Sequence, residues 1–120
     1  MTQEEKQLLL IDLCARLPYG LICKELGQAK KLLSVSPSKA YGITLDNGEY
    51  TRGNYKIGDI KPYLRPMSSI TEEEEKEFEE TLQYTQYTLE SYDWLNAHHF
   101  DYRGLIKKGL ALEAPENMYK

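Results

Sequence analysis

The spacing of turn residues between positions 19 and 66 constrains the fold of this chain more than any other feature. Glycine, proline, asparagine, aspartate and serine interrupt that segment near 27, 36–38, 46–48, 52–54 and 57–59. Only short strands fit between such interruptions, and we predict strands near 20–26, 29–35, 41–46, 49–52 and 60–65. Asn47 and Gly48 tolerate a positive φ best, so they are predicted to form a two-residue type I′ hairpin turn.

Strands this short cannot stay flat and exposed, so the segment is predicted to form a small, strongly bent antiparallel β-sheet or an SH3-like barrel. A helix over residues 3–16 precedes it, because Thr2 and Glu5 fit a capping box, leucines recur at helical spacing, and Pro18 ends the pattern. We expect this helix to cover an open face or end of the sheet.

The remaining residues, 67–120, are predicted to be helical and to pack against the sheet. Thr71 caps a helix whose first turn holds four glutamates. Apolar residues recur at helical spacing from Phe78 to Tyr92, and this stripe would dock on the sheet together with Trp94. The sequence leaves open whether one helix runs to about residue 98 or two helices meet at a bend near 85.

Asp101 is predicted to cap a further short helix that ends before Gly109. Together these elements predict a single α+β domain over residues 1–120, in which an N-terminal helix, a small β part and a helical part share one core.

Composition and cysteine usage exclude several classes of protein. Hydrophobic residues make up 41% of the 120 residues, which is enough for a folded core. The longest apolar run, residues 8–11, follows glutamates and is too short for a membrane span or a signal peptide, so we expect a cytoplasmic protein with no membrane partner. Cys14 and Cys23 have no Cys-x-x-Cys spacing and are expected to be reduced and mostly buried.

Charge divides the chain into a basic and an acidic part. Residues 19–66 carry eight lysines and arginines against four aspartates and glutamates, whereas residues 67–120 carry five against twelve. Each part therefore offers a different surface to a partner, unless the acidic helix folds against the basic strands and screens them.

The basic segment also contains five of the ten tyrosines. Phosphate neutralisation and aromatic stacking are the two ingredients of single-stranded nucleic-acid binding. Lysines on solvent faces and half-buried tyrosines are also ordinary in strands, so the same residues are compatible with no binding. The candidate binding surface consists of Lys24, Lys30, Lys31, Lys39, Tyr41, Tyr50, Arg52, Tyr55, Lys56, Tyr63 and Arg65, with Lys61 as a further cation.

The densest group of reactive side chains lies in residues 92–103. His98 and His99 are adjacent, so on a helix they point about 100° apart and cannot bind one metal ion as an i, i+4 pair would. Either could exchange protons with Asp93 or Asp101, but we favour packing at a helix end. The predicted packing cluster, in which Arg103 pairs locally, consists of Tyr92, Asp93, Trp94, His99, Asp101 and Arg103.

Catalytic signatures are absent from the sequence. It contains no Gly-x-Ser-x-Gly, no Walker-type phosphate loop, no Gly-x-Gly-x-x-Gly and no His-Glu-x-x-His. A nucleophilic dyad of Cys23 and His99 would need two residues far apart in sequence to meet, and nothing in the spacing predicts that. We therefore predict no catalytic residue, no cofactor and no metal.

Several runs of the sequence are distinctive: residues 13–20 (LCARLPYG), 61–69 (KPYLRPMSS), 92–96 (YDWLN), 99–106 (HFDYRGLI) and 109–115 (GLALEAP). In these runs the chain resembles a family of small uncharacterised proteins from Bacteroides-type gut bacteria and their mobile elements. The resemblance covers both ends and the middle of the chain. It implies a bacterial cytoplasmic setting and an accessory role in a mobile element, and it brings no assigned activity, cofactor or catalytic residue.

We predict a non-enzymatic protein-binding or adaptor protein, for which exposed tyrosines should cluster in one patch. The alternative is a small-barrel nucleic-acid-binding protein, which needs most of the eight cations on one uncovered face. A third hypothesis, an enzyme that uses His98 or His99, needs a concave pocket in which one imidazole lies beside Asp93 or Asp101.

Overall fold

The structure, a computed structural model, describes residues 1–48 and 51–119 of the chain. Within those residues the chain forms three α-helices and six β-strands. The helices are α1 (Gln3–Arg16), α2 (Glu72–Glu79) and α3 (Leu89–Ala97), and the strands are β1 (Ile22–Glu25), β2 (Gln28–Val35), β3 (Ile43–Gly48), β4 (Thr51–Tyr55), β5 (Lys61–Leu64) and β6 (Leu112–Glu113). Helices that pack on one sheet confirm the predicted α+β class.

α1 begins and ends where the sequence predicts. The Thr2 hydroxyl accepts a hydrogen bond from the Glu5 amide at 3.1 Å, and the Glu5 carboxylate accepts one from the Thr2 amide at 2.8 Å, which completes the capping box. At the other end, a turn of 3₁₀ helix (Leu17–Tyr19) leads to Gly20, whose φ of 72° lets the chain reverse toward β1.

The face that α1 buries differs from the predicted leucine stripe. Leu9 and Leu13 lie in the core as expected, but the rest of the buried face consists of the charged residues Asp12 and Arg16. Cys14 is exposed, so its predicted burial is wrong. Helical periodicity identified the helix correctly but not the whole of its inner face.

A buried ion pair joins α1 to the segment that follows α3. Arg16 donates from Nε to Asp12 at 2.9 Å and from Nη2 to the carbonyl oxygen of Phe100 at 2.6 Å. Arg103 donates to the second carboxylate oxygen of Asp12 at 2.7 Å. The local partner predicted for Arg103 is therefore wrong, because Asp12 lies 91 residues away. We call these three charged side chains the buried joint.

The six strands form one open sheet in the order β4-β3-β2-β1-β5-β6. Neighbours among β1 to β5 are antiparallel, and β6 joins the edge of β5 in parallel. Four of the five predicted strands match β1, β2, β3 and β5 closely. The turn predicted at 52–54 is wrong, because β4 runs through those residues; of the strand predicted at 49–52, residues 49 and 50 lie outside the described residues. Of the two predicted architectures, the structure has the open sheet rather than the barrel. The sequence does not predict β6, because a two-residue strand carries no alternation.

The hairpin between β3 and β4 differs from the prediction. Asn47 and Gly48 belong to β3, and Gly48 pairs with Thr51, so the two-residue loop predicted at Asn47 and Gly48 is wrong. The register shifts between Asp46 and Gly48, where Gly48 adopts a φ of 85°. The positive φ that favours glycine therefore occurs at a β-bulge rather than at the centre of the turn.

One face of the sheet packs under α1 in an aliphatic core. Each buried leucine or isoleucine of this core stabilises the fold by about 1.5–3 kcal/mol relative to an exposed side chain. The buried members are Leu9, Leu13, Leu21, Cys23, Leu32, Ile43, Leu45, Ile60, Leu64, Leu105, Leu110 and Ala111. The opposite face of the sheet is its outer face; Ile22 and Tyr63 lie there and are half-buried.

A second, smaller core is aromatic and holds α2 against α3. Phe78, Leu95 and Phe100 are buried there, and Trp94 and Leu82 pack around them. The helical part thus has its own small interior, beside the larger one under the sheet.

Residues 71–98 form two helices, which decides between the two predicted alternatives. α2 ends at Glu79, and α3 begins after a capping box of its own, between Thr88 and Ser91. The predicted docking stripe from Phe78 to Tyr92 is wrong, because Phe78 is buried whereas Leu89 is 85% exposed.

Turns replace the short helix predicted after Asp101. The Asp101 carboxylate still acts as a cap, since it accepts hydrogen bonds from the amides of Leu105 and Ile106, each at 2.9 Å. Gly109 has a φ of 74°, as expected of a residue that ends a helical turn.

Candidate binding surfaces

Large apolar side chains are exposed within a short stretch of sequence, on the turn between α2 and α3 and the start of α3. Tyr84 is 94% exposed, Leu89 85%, Tyr87 45% and Tyr92 42%. We call these four residues the turn surface. Contiguous exposed apolar groups mark interaction sites, whereas single scattered ones are ordinary.

The turn is strained at its tip. Gln83 and Gln86 exchange two backbone hydrogen bonds, of 3.1 and 3.0 Å, so the chain reverses through the two residues between them. Tyr84, the first of these, has a φ of 61°, a left-handed conformation that costs a residue with a β-carbon about 1–2 kcal/mol. Since its side chain is almost wholly in solvent, packing does not explain why tyrosine occupies this position.

Three hydroxyl groups fasten the base of the turn. Thr81 donates to the carbonyl oxygen of Phe78 at 2.6 Å. The carbonyl oxygen of Thr81 in turn accepts hydrogen bonds from the Thr88 hydroxyl at 2.9 Å and from the Ser91 hydroxyl at 3.1 Å. A turn held in this way is preorganised, which reduces the entropy lost when a partner binds.

Contacts between rings connect the turn surface to the aromatic core. The Tyr87 ring centre lies 5.3 Å from that of Phe78 and 5.5 Å from that of Tyr92, at interplanar angles of 81° and 66°. Tyr92 in turn lies 5.4 Å from Tyr102. Edge-to-face pairs of this kind are favourable, so Tyr87 and Tyr92 hold defined positions although much of each ring is exposed.

The two helices on either side of the turn surface are rich in carboxylates. Lys76 is the one lysine or arginine within α2 and α3. The exposed acidic residues of this region are Glu72, Glu73, Glu75, Glu77, Glu79, Glu80, Glu90 and Asp93. The electrostatic potential around the turn is therefore negative, which favours a positively charged partner.

Four of the predicted cations share the outer face of the sheet, and we call them the basic face: Lys24, Lys31, Arg52 and Lys61. On β1, Cys23 and Glu25 are buried, so Lys24 between them points to the opposite side. Directly paired residues of antiparallel strands share a side, and Lys24 pairs with Lys61.

The same alternation places the other two members of the basic face. Lys31 precedes Leu32, which is buried under α1, so Lys31 points outward. Arg52 pairs with Asp46, whose neighbour Leu45 is buried, so Arg52 and Asp46 both lie on the outer face.

Two other predicted cations are held in ion pairs. Lys30 donates to Glu25 at 3.0 Å and to the Tyr55 hydroxyl at 3.2 Å, and both bonds raise its pKa. Arg65 donates to the two carboxylate oxygens of Glu74 at 2.7 and 2.8 Å, and this pairing lowers the pKa of Glu74 to about 2. Among the described residues, Arg65 alone links the basic segment to α2 by a salt bridge, so α2 does not screen the basic face.

The remaining residues of the candidate surface are dispersed. Lys39 and Lys56 line a cleft beside the start of α1, and the Lys56 ammonium lies 5.2 Å from the centre of the Tyr41 ring. Tyr63 lies on the outer face, and Tyr50 lies outside the described residues. The structure thus brings four of the eight cations together, rather than most of them.

The predicted packing cluster of residues 92–103 is divided among several environments. Trp94 packs in the aromatic core, as predicted. Tyr92 belongs to the turn surface and Asp93 is exposed, so neither is a packing residue of that core. Asp101 caps backbone amides, and Arg103 belongs to the buried joint.

His98 faces glutamates rather than the two predicted aspartates. Its Nδ1 lies 3.6 Å from Glu74 and its Nε2 lies 3.7 Å from Glu77. These distances are longer than hydrogen bonds. The imidazole also stacks on Trp94, with 4.0 Å between ring centres. His98 and His99 line an open cleft of about 510 Å³, which the two predicted aspartates do not line.

His99 is a buried, uncharged ring. It stacks on Tyr119 at 3.8 Å between centres, and its Nδ1 has no hydrogen-bond partner among the described residues. Burial, and next the Arg16 guanidinium, lower its pKa to about 4. Burial also raises the pKa of the Cys23 thiol to about 12, so this thiol is not a nucleophile at neutral pH.

Within the described parts of the chain, no three His, Cys, Asp or Glu side chains lie close enough together to hold one metal ion. No helix found there is both long and apolar enough to cross a membrane. No protein family, no curated protein and no solved structure matches the chain. Membership in the family that the sequence resembles stays a prediction.

Sequence reasoning missed the turn surface, because Leu89 and Tyr92 fit a helical stripe by coincidence. One available signal was Thr88, which is followed by Ser91 three positions later and can therefore start a new helix at residue 89. The segment of β-branched and aromatic residues before it is poor helix material, which supports the same boundary.

Proposed function

We propose that this chain is a non-enzymatic adaptor protein that binds another protein through the turn surface. The observation that carries the proposal is a strained and almost fully exposed tyrosine, Tyr84, at the tip of a turn whose base is locked by hydroxyl groups. Strain that packing does not explain points to a function of the side chain outside the fold. Tyrosine suits that function, since it presents a large rigid contact area at low entropic cost.

The chemistry of the partner follows from the charges around the turn. An apolar surface with an acidic rim is complementary to an apolar segment flanked by lysine or arginine. We therefore propose a partner that presents aromatic or aliphatic side chains with cations on both sides of them. Rim charges act mainly on the association rate, so salt should slow binding without abolishing it.

The environments of the reactive residues favour a binding protein over an enzyme. His98 lies beyond hydrogen-bond distance of its nearest carboxylates, and His99 and Cys23 are buried with pKa values that keep both uncharged at neutral pH. None of these arrangements resembles an activated acid, base or nucleophile.

Peptide display on the full-length chain tests the proposal. We expect selected peptides to combine aromatic or aliphatic residues with lysine or arginine. Burial of one such side chain contributes about 1.5–3 kcal/mol, so the double variant Tyr84→Ser/Leu89→Ser should weaken binding of a selected peptide by about 100-fold or more, measured by fluorescence anisotropy.

The matched control is Ile11→Ser/Tyr41→Ser, which removes two side chains that are 55% and 58% exposed elsewhere on the molecule. It should leave the affinity unchanged, and circular dichroism should show that both double variants are folded. Failure to select any peptide, or peptides that bind the Tyr84→Ser/Leu89→Ser variant as tightly as the wild type, would contradict the proposal.

A further inference from the structure

The basic face offers a second surface of opposite charge to the turn surface. It holds four cations, fewer than the nucleic-acid-binding barrel predicted from the sequence would need, but an open sheet face can still contact one phosphate with each of them. We infer that the basic face binds single-stranded nucleic acid through the phosphate backbone. Its four side chains project into solvent from β1, β2, β4 and β5, and within the described residues none of them forms a salt bridge. Among the described residues of β1 to β5, Asp46 is the acidic residue that the register places beside them, opposite Arg52. Cations outnumber this carboxylate, so the outer face is locally basic on an acidic protein.

The outer face also carries apolar groups that suit unpaired bases. Ile22 and Tyr63 are half-buried there and belong to neither core. Bases of a single strand can lie against such groups and stack on a tyrosine ring. A duplex hides its bases and is read by an element that enters a groove, whereas the described outer face consists of strands. The chemistry therefore favours a single strand over a duplex.

The dimensions limit the number of phosphates that the face can contact. Arg52 lies on β4 and Lys61 on β5, which are four strand spacings apart in the sheet, or about 19 Å. With one phosphate for each cation, the logarithm of the association constant should fall with the logarithm of the salt concentration with a slope of about −2.8. This slope corresponds to about 50-fold weaker binding at 200 mM than at 50 mM salt.

The position of the face makes this binding separable from the proposed protein docking. Lys24, Lys31, Arg52 and Lys61 lie on the sheet, whereas the turn surface lies on the connection between α2 and α3. A polyanion is repelled by the glutamates of α2, and a basic peptide is repelled by the basic face. The two ligands should therefore bind without competition.

Fluorescence anisotropy with labelled oligonucleotides of about 12 nucleotides, within the usual site size, tests the inference on the full-length chain. Mixed-sequence DNA and RNA single strands should bind at 50 mM salt, and the duplex should bind more weakly. The double variant Lys24→Ala/Lys31→Ala loses two phosphate contacts, so its slope should be about −1.4. Its association constant should then fall only about 7-fold between 50 mM and 200 mM salt.

The matched control removes the same charge from the other side of the sheet. Lys107 and Lys108 are exposed between Leu105 and Leu110, which pack in the aliphatic core under α1. Lys107→Ala/Lys108→Ala should keep the wild-type slope. The inference would be overturned if the wild type bound no oligonucleotide at 50 mM salt, or if it bound the duplex more tightly than the single strand. It would also be overturned if Lys107→Ala/Lys108→Ala reduced the salt slope as much as Lys24→Ala/Lys31→Ala. Salt-sensitive self-association without oligonucleotide binding, seen by sedimentation, would overturn it as well.

Discussion

The sheet and the helical end of this protein leave different kinds of side chain in solvent. Under the sheet a large aliphatic core takes up the apolar residues, and the outer face exposes lysines and arginine on regular strands. At the helical end the core is small and aromatic, and a strained turn exposes tyrosines and a leucine. Folding alone accounts for lysines on strands, but it does not account for an exposed tyrosine in a left-handed conformation. Leu26, in the turn between β1 and β2, is also 91% exposed with a φ of 47°, but it is a single residue, whereas Tyr84 is followed within eight residues by three more exposed apolar side chains. The difference makes the turn surface the better candidate for protein binding.

The largest expected effect comes from the buried joint between the two regions. Asp12→Leu leaves the buried Arg16 guanidinium without its carboxylate partner, and such an uncompensated charge should lower the free energy of unfolding by about 3–5 kcal/mol, measured by urea denaturation. The double variant Asp12→Leu/Arg16→Met removes both charges and should recover much of the loss. A loss below about 1 kcal/mol in Asp12→Leu would show that the joint does not hold the two regions together.

The second effect is a dependence of the free energy of unfolding on pH, caused by the buried His99. The pKa of His99 is about 4 in the folded chain against 6.5 as the reference value. The unfolded chain therefore binds a proton between these pH values when the folded chain does not, so stability falls as pH falls from 6.5 to 4, by about 2–3 kcal/mol. His99→Asn, which tolerates the positive φ, should remove this fall. If the free energy of unfolding fell by the same amount in wild type and His99→Asn between pH 6.5 and pH 4, the assignment to His99 would be wrong.

A smaller effect is expected from the ion pair that joins α2 to the end of β5. The pKa of Glu74 is lowered from 4.5 to about 2 by the Arg65 guanidinium. The carboxylate therefore stabilises the fold above pH 4.5, and this contribution is lost as pH falls toward 2. Because the pair is partly exposed and screened by solvent, we expect Glu74→Gln to lower the free energy of unfolding at pH 7 by about 1–2 kcal/mol, measured by urea denaturation. Glu73→Gln, at an exposed neighbouring position, should change the free energy of unfolding little. If both variants lowered it equally, the ion pair of Glu74 with Arg65 would not be the cause.

The smallest effect has the opposite sign. Tyr84→Gly relieves the left-handed conformation while it adds freedom to the unfolded chain, so it should raise the free energy of unfolding by about 0.5–1 kcal/mol. Tyr87→Gly removes a ring that contacts Phe78 and should lower it. Thermal denaturation should show a higher melting temperature than the wild type for Tyr84→Gly and a lower one for Tyr87→Gly. If Tyr84→Gly were as destabilising as Tyr87→Gly, Tyr84 would serve the fold rather than a partner.

Local signals in the sequence predicted the elements that depend on neighbouring residues. The capping box and Pro18 predicted the bounds of α1, and the turn residues located four strands closely, whereas the turn predicted at 52–54 lies within β4. Contacts between distant residues left no such signal. The burial of Asp12 and Arg16 depends on Phe100 and Arg103, which lie 84 and 91 residues from their partners.

The candidate surfaces were predictable to different degrees. Alternation along the strands predicts which lysines share a side once the register is known, but the sequence does not give the register. It therefore grouped Lys30 and Arg65 with the basic face, although both are held in ion pairs. The turn surface was hidden because Leu89 continues the helical spacing of Phe78 although the helix has ended.

Amide chemical shifts of the ¹⁵N-labelled chain, recorded with a display-selected peptide and separately with a single-stranded oligonucleotide, test the central claim most directly. If the turn surface binds protein and the basic face binds nucleic acid, the peptide should shift amides in residues 80–93. The oligonucleotide should shift amides of β1, β2, β4 and β5. Shifts of one shared set of residues by both ligands, or peptide-induced shifts that leave Tyr84 and Leu89 unchanged, would contradict it.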